Sequence, residues 1–210
     1  MAVSRQHLTV LKLGGSFAFS PHLPRILQAI GSVGVPLVVV PGGGPFADAV
    51  REAQPRMGFD DRAAHRMALM AMAQFTEALV ALAPSLDVAA DPSAIRRTLD
   101  RHRVAVWSPW PMADGLDTLP ESWQLTSDSL AAWLAGRLGA SRLLMLKHGD
   151  RPVDGPSFES AVAAGIVDHL FPGYARASGA AVSWLWPSEF DALVEVLGAQ
   201  PSARCEQLSA

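Results

Sequence analysis

Two apolar runs that pass without alternation into glycine set the strongest limit on how this chain can fold. Residues 35–40 read Val-Pro-Leu-Val-Val-Val and lead directly into Pro41-Gly42-Gly43-Gly44-Pro45. Residues 8–13 read Leu-Thr-Val-Leu-Lys-Leu and lead into Gly14-Gly15-Ser16. The β-rich run 8–13 reads as the first strand, and the continuous apolarity of 35–40 marks a strand covered on both faces, as in a parallel sheet. Parallel strands need crossovers, and a helical pattern follows each glycine loop. Ser20-Pro21 opens one helix through Ser32, and Phe46 to Ala53 forms another. Strand, glycine loop and helix, twice over, make a βαβα pattern.

The rest of the chain continues in this manner. Asp60 to Leu82 is a long Ala/Met-rich helix, apolar around much of its circumference. Such a helix packs between other elements or at a subunit contact, so at least a homodimer is expected. Asp91-Pro92-Ser93 caps a short helix, and Val104 to Trp107 is a strand. Residues 108–125 are rich in proline and tryptophan and lack periodicity; a loop of that length in a compact domain tends to be functional. A capped helix from Ser127 stops at Gly139, a strand covers Arg142 to Lys147, and His148 to Gly155 is a polar turn region. A last strand, Ala180 to Trp186, precedes a final helix from Pro187 to Leu197. The expected fold class is α/β, a three-layer αβα sandwich with a mostly parallel central sheet. The chain reads as one domain, 1–210, with a first lobe over 1–120 and a second over 121–210.

Composition removes several function classes. The chain has 210 residues, half of them apolar, and a formal net charge of -3. That charge disfavours a general electrostatic grip on nucleic acid. No apolar run reaches the length of a membrane span, and the N-terminus lacks the apolar stretch of a signal peptide. The single cysteine, Cys205, cannot form an internal disulfide and reads as an incidental thiol. A cytoplasmic enzyme or binding protein is expected. Of 17 basic residues only Lys12 and Lys147 are lysines, and both end apolar runs close to glycine.

Ligands of open parallel sheets bind outside the carboxyl ends of the strands. Lys12-Leu13-Gly14-Gly15-Ser16, Gly42-Gly43-Gly44 and Lys147-His148-Gly149-Asp150 all fall there. Glycine lets backbone N–H groups approach phosphate oxygens, a helix N-terminus favours anions, and lysine supplies a mobile point charge. The plainer reading is that the glycines only make tight turns. No P-loop, dinucleotide fingerprint, protein-kinase catalytic set, nucleophile elbow or zinc-type histidine spacing is present. Asp128, at the start of a helix in Thr126-Ser127-Asp128-Ser129, either stabilises the helix terminus or orients cationic groups. His65 either faces a ligand or sits on the helix surface. Asp48 and Arg51, one turn apart, form a surface pair or approach a ligand. Trp107, Trp110 and Trp123 are core or lid residues.

Lys12–Ser16, residues 38–51 (VVVPGGGPFADAVR), residues 126–140 (TSDSLAAWLAGRLGA) and residues 143–155 (LLMLKHGDRPVDG) together resemble the amino-acid kinase family, the fold of acetylglutamate, carbamate, uridylate and isopentenyl phosphate kinases. The motifs occur in that family's order. The short length, PFAD after the glycines and AHRMALMAM are most similar to the small branch of methanofuran-type cofactor biosynthesis, which phosphorylates an aminomethylfuran-methyl phosphate. The resemblance implies an ATP-dependent phosphotransferase using Mg²⁺ on a small phosphorylated acceptor in one-carbon cofactor biosynthesis. It makes 1–120 the acceptor-binding lobe and 121–210 the nucleotide-binding lobe. It implies that Lys12 stabilises the transferring phosphoryl group and that Asp128 organises the cationic groups. Gly14, Gly15, Ser16, Lys147, Asp150, Asp154 and Gly155 would bind nucleotide; Gly42, Gly43, Gly44 and His65 would bind the acceptor. No protein metal ligand is implied.

Two departures from the family pattern define a competing expectation. The usual K-D-x-D-G loop is here Lys147-His148-Gly149-Asp150-Arg151-Pro152-Val153-Asp154-Gly155, and no lysine follows Lys147, although many members carry a second catalytic lysine in a later G-G-M-x-x-K segment. Arg151 and Arg176 are candidates for that charge. The alternative is a catalytically inactive ligand-binding or scaffold protein on the kinase fold.

Overall fold

The computed structural model describes residues 8–110, 112–152 and 155–199. Six strands form one all-parallel sheet: β1 (Thr9–Leu13), β2 (Leu37–Pro41), β3 (Leu86–Ala89), β4 (Val104–Trp107), β5 (Arg142–Leu146) and β6 (Ala181–Leu185). Their spatial order is β3-β4-β2-β1-β5-β6. Strands β1, β2, β4 and β5 are buried at every position, which accounts for their largely apolar sequences, broken by Thr9 and Lys12 in β1 and by Arg142 in β5. The helices are α1 (Leu23–Ser32), α2 (Gly44–Met57), α3 (Asp61–Leu82), α4 (Pro92–Asp100), α5 (Ser127–Leu138), α6 (Phe158–Ala163), α7 (Phe171–Ser178) and α8 (Leu193–Gly198).

Side-chain alternation along the strands feeds two cores. On one face Leu11, Leu13, Leu37 and Val39 meet Ile26 and Ile30 of α1, Phe75 and Leu79 of α3, and Leu193 and Leu197 of α8. On the other, Val10, Val38, Val40, Leu143 and Met145 meet Ile95 of α4, Leu130 and Leu134 of α5, and Phe171 and Ala175 of α7. This is the three-layer αβα sandwich. The Met-rich helix α3 contributes Leu69, Met72, Phe75 and Leu79 to these cores, while Met67 and Met70 remain partly exposed.

Several boundaries differ from the sequence reading. Helix α1 starts at Leu23 rather than Ser20-Pro21; the Ser20 hydroxyl accepts from the His22 N–H in the turn before it. Helix α2 begins at Gly44 and runs through Pro55 to Met57, closing on Gly58 at φ 75°. Pro55 lies in the last turn and, lacking an N–H, forgoes the helical bond to the Arg51 carbonyl. The final helix is a 3-10 segment, Pro187–Ala192, continuing into α8. Strand β3 and helices α6 and α7 are additions; β3 is a short edge strand containing Asp87, and α7 opens Phe-Pro-Gly.

The register fixes where the chemistry can lie. Leu13 is level with both Pro41 and Leu146, so Gly14, Gly42 and Lys147 leave the sheet side by side. From β1 the chain proceeds to α1 on one face, whereas from β5 it proceeds to α6 and α7 on the other. Neighbouring strands that send their chains to opposite faces open a crevice between them, the usual ligand position of such sheets.

Candidate functional site

Lys12 is two residues from Val10 and therefore projects on the α5 face; Lys147, two residues after Met145, does the same. Helix α5 aims its first turn at them. Thr126 caps it, accepting from the Asp128 N–H at 3.3 Å, and Asp128 sits in that turn at 7% exposure. Asp128 Oδ1 accepts from Lys12 Nζ at 2.7 Å and from Lys147 Nζ at 2.8 Å. Lys147 Nζ also donates to the Ile166 carbonyl at 2.6 Å. All three charged side chains are buried.

Their protonation follows from this crowding. Burial by itself raises the Asp128 pKa, but the charges of Lys12 and then Lys147 outweigh it and hold the carboxyl below its ordinary value. Burial, then the charge of Lys12, lowers Lys147 from 10.5 to about 8, against the opposing attraction of Asp128. The three groups line a pocket of about 340 Å³ together with Gly14, Ser16, His148 and Trp186. Two ammonium groups against one carboxylate leave that pocket with a positive surplus, suited to a polyanion. A Cβ on Gly14 would sit 3.3 Å from Lys12 Nζ, so the glycine keeps space above the ammonium.

The two glycine loops touch through their backbones. A Cβ on Gly15 would lie 2.3 Å from the Gly44 nitrogen, and a Cβ on Gly42 would lie 2.3 Å from the Gly15 nitrogen. Real structures do not tolerate such distances, so both glycines are required by the contact itself and are more than turn residues. The Gly42 N–H also donates to the Leu13 carbonyl at 2.8 Å, tying the second loop to the end of β1.

Beyond Gly43 lies a smaller cavity, about 60 Å³, lined by Ala47 and Arg51 of α2, His65, Leu69 and Met72 of α3, and Ser122, Trp123 and Leu125 of the long loop. His65 is 4% exposed and thus not a helix-surface histidine; burial lowers its pKa. Arg51 stacks 4.8 Å above Trp123 while pairing with Asp48 at 2.8 Å, so the Asp48–Arg51 surface pair forms and Arg51 also lines this cavity. Trp123 Nε1 donates to Gln54 Oε1 at 2.6 Å, and Arg62–Glu121 and Arg66–Asp114 pairs pin the long loop to α3 at 3.0 and 3.2 Å. Trp107 is core, and Trp110 lies under Arg66. A larger groove of about 450 Å³ between α1 and the end of α3 has no titratable side chain in its lining and offers no such chemistry.

The structure thus brings Lys12, Gly14, Ser16, Asp128 and Lys147 to one pocket, joins Gly15 to Gly42 and Gly44 beside it, and puts Gly43 and His65 in the adjoining cavity. Asp150 and Gly155 are exposed on the following loop and do not line the pocket; Asp154 and Cys205 lie outside the described residues. Arg151 pairs with Glu189 and Arg176 with Glu159, and neither arginine lines the lysine pocket. The second cation at Asp128 is Lys147. Among the described residues no group of three or more His, Cys, Asp or Glu side chains could hold a metal ion, and no helix is long and apolar enough to cross a membrane.

Asp168 has no counterpart in the sequence reading. Its Oδ2 accepts from the Thr126 N–H, the Thr126 hydroxyl and the Ser129 N–H; its Oδ1 accepts from the Ser129 hydroxyl and the Leu170 and Phe171 N–H groups. One carboxylate therefore caps α5 and α7 together, and holds Asp128 by holding the turn it stands on. The available signal was acidic character just before the Phe-Pro of α7, a pattern too short to distinguish from a turn.

Comparison with known proteins agrees with this architecture. The model of the amino acid kinase family matches residues 7–151. The [5-(aminomethyl)furan-3-yl]methyl phosphate kinase of Methanocaldococcus jannaschii is 24% identical over 145 residues, spanning 67% of this chain and 66% of that protein. The match therefore leaves about a third of that relative's length uncovered. Among solved structures, uridylate kinase from Archaeoglobus fulgidus superposes with a TM-score of 0.69 at 18% identity, covering 92% of this chain and 96% of that one. UMP kinase from Ureaplasma parvum gives 0.68 at 16% identity, covering 93% and 97%. Carbamate kinase from Giardia lamblia gives 0.54 at 12% identity, covering 94% and 96%. At these identities the structural likeness speaks for the fold.

Proposed function

The chain belongs to the amino acid kinase family, and from that premise we propose that it is an ATP-dependent phosphotransferase whose acceptor is a small phosphomonoester of the [5-(aminomethyl)furan-3-yl]methyl phosphate type. The observation that carries this reading is the pair of lysine ammonium groups on one buried carboxylate oxygen at the ends of β1 and β5. Asp168 also attracts Lys147 but does not line the pocket, and burying two ammonium groups against one lining carboxylate is costly unless an anion shares the site.

On this reading Lys12, Gly14, Ser16, Lys147 and the 164–166 stretch receive the nucleotide phosphates in the larger pocket. The small cavity beside α2 and α3 receives the acceptor, and the paired glycine loops lie at the junction. The pocket's size, glycine edge and positive surplus fit a triphosphate. Mg²⁺, which this chemistry ordinarily uses, would enter the lysine pocket with the nucleotide and supply further positive charge beside Lys12 and Lys147.

The transfer forms a bond from an acceptor phosphate oxygen to the γ-phosphorus and breaks the bond to the β–γ bridging oxygen. ADP and a diphosphorylated acceptor result. A phosphate monoester is already deprotonated near neutral pH, so no general base is needed. Lys12 and Lys147 offset charge on the transferring oxygens, and Asp128 sets their positions. Lys147 supplies a second ammonium where later lysines are absent, which supports an enzyme over an inactive binding or scaffold protein. A homodimer or larger homo-oligomer through α3, and a role in one-carbon cofactor biosynthesis, are parts of the same proposal.

The test is ADP release from ATP–Mg²⁺ across a panel of small phosphomonoesters, including [5-(aminomethyl)furan-3-yl]methyl phosphate, for the wild type and Lys12→Met. Acceptor-dependent ADP release that falls by about 10²-fold or more in Lys12→Met is expected. Tight ATP binding with no turnover on any acceptor would favour the binding-protein reading. Undiminished turnover by Lys12→Met would sink the mechanism.

A further inference from the structure

The lysine pocket has a feature that holding phosphate does not require. Lys147 Nζ donates to Asp128 Oδ1 at 2.8 Å and to the Ile166 carbonyl at 2.6 Å. An ammonium group carries three donors, whereas a neutral amine carries two donors and a lone pair. Two acceptors therefore serve the neutral form in full, and Nζ can give up its third proton without losing either hydrogen bond. The lone pair then takes the one direction that neither partner occupies. The side chain is 7% exposed, yet it lines the pocket of about 340 Å³, and the Trp184 ring flanks it at 5.9 Å.

The charges around this amine act in the same direction. Lys12 meets the same Asp128 oxygen at 2.7 Å, so two nitrogens crowd one carboxylate atom. Asp128, and more weakly Asp168, favour the ammonium form of Lys147, but burial and Lys12 outweigh them and bring it down to about 8. About a tenth of the amine is then neutral at pH 7. A lysine desolvated beside a second cation is the arrangement that turns an amine into a nucleophile for carbonyl groups. Lys12 stays available for an anion, with Gly14 keeping space above its Nζ and Ser16 and His148 in the same lining. A small molecule that carries both a carbonyl carbon and a phosphate meets both lysines at once.

We propose that Lys147 is a carbonyl-reactive amine, the covalent site for small aldehydes whose phosphate Lys12 holds beside it. The Nζ lone pair forms a bond to the carbonyl carbon. The carbonyl oxygen takes up both amine hydrogens and leaves as water, and a carbon–nitrogen double bond remains. No oxidant or further reactant is consumed, and addition of water reverses the step. While the imine stands it fills the pocket, so phosphoryl transfer stops. The site is the pocket assigned above to the nucleotide phosphates, but the reaction needs only the two lysines and does not depend on that assignment.

Matched aldehydes test it: pyridoxal 5′-phosphate against pyridoxal, and glyceraldehyde 3-phosphate against glyceraldehyde. Sodium cyanoborohydride reduces any imine to a stable secondary amine, and peptide mass spectrometry locates it. Lys12 and Lys147 are the only lysines of the chain, so the map has two side-chain positions to compare. Trapping at Lys147 is expected, faster for the phosphorylated member of each pair by about tenfold or more, the worth of one hydrogen bond to a charged group. Its second-order rate should rise to about pH 8 and then level off, where an ordinary lysine would keep gaining to about pH 10.4. Lys12→Met should erase the preference for phosphate, and Lys147→Arg should not transfer the label to Lys12. Saturating ATP–Mg²⁺ should block trapping, and trapped protein should release no ADP. Trapping that ATP leaves unchanged would uphold the reactive amine while refuting the nucleotide reading of the pocket. Absence of an adduct at Lys147, equal labelling of Lys12, or no gain from the phosphate overturns the inference and leaves the kinase reading standing.

Discussion

Replacing Lys147 with methionine separates the charge of the second lysine from its bulk. In the wild type, Lys147 and Lys12 meet the same oxygen of Asp128, and Lys147 titrates at about 8 because it is buried and faces Lys12. Lys147→Met keeps the length of the side chain and leaves a one-to-one Lys12–Asp128 pair. Loss of one preorganised donor to a developing charge costs about 10²–10³ in rate, or roughly 3–4 kcal/mol. Stability should move the other way. The folded-state pKa lies below the unfolded one, so the buried ammonium destabilises the fold below pH 8, and that penalty fades as pH rises from about 8 to 10.5. At pH 7 the variant should therefore be at least as stable as the wild type, and it should lack the gain in stability above pH 8. Steady-state ADP release and thermal unfolding, measured on the same preparations, read the two effects. The pH profile adds an independent check. With a pKa of about 8, the charged fraction of Lys147 drops from about 90% at pH 7 to about 10% at pH 9. Wild-type kcat/KM, which reports the free enzyme, should fall along that limb, while kcat should fall at higher pH because bound phosphates support the ammonium. Lys147→Arg should remove the limb, at a lower absolute rate, since guanidinium stays charged but does not reproduce the lysine geometry. A Lys147→Met enzyme within about threefold of wild-type kcat, with an unchanged alkaline limb, would refute the assigned role, since that corresponds to under 1 kcal/mol.

Two further substitutions test the framework of the site. Gly15→Ala places a Cβ 2.3 Å from the Gly44 nitrogen, so the loops must separate; a loss of about 1–3 kcal/mol in urea unfolding is expected along with lost turnover, and an unchanged unfolding midpoint would contradict the contact. Asp168→Asn turns an NH₂ group toward donors from Thr126 and Ser129 or from Ser129, Leu170 and Phe171; destabilisation by about 2–4 kcal/mol is expected, and denaturant curves superposing on wild type would show that the double cap contributes nothing.

What the sequence revealed, and what it hid, follows from the range of the interactions involved. Strands β1, β2, β4 and β5 were legible because each is buried on both faces and so written as a mostly apolar word that does not alternate. The edge strand β3 has two less buried positions, one of them Asp87, and loses that signature. Helix α7 opens with Phe171-Pro172-Gly173, residues that locally signal a turn, and is held as a helix by Asp168 and by packing on α5. At the site, Lys12 and Lys147 stood out as strand-end charges and Asp128 as a helix-start charge, but Lys147 was read with the nucleotide loop and not beside Lys12. Its place opposite Lys12 depends on the register of β1 with β5, a pairing between residues far apart in the chain.

The meeting of the two glycine loops also bears on how such a protein can change over time. At Gly15 and at Gly42 the obstacle to a side chain is backbone on the opposite loop, so no compensating change of a neighbouring side chain makes room. Both positions are closed to stepwise drift, and the spacing between the loops is inherited as a unit. The segment 108–126 is fastened differently, by side-chain links such as Trp123 to Gln54, Glu121 to Arg62 and Asp114 to Arg66. Each can be exchanged singly. Changes to the lining of the small cavity can therefore accumulate in that segment while the junction between the two pockets stays as it is.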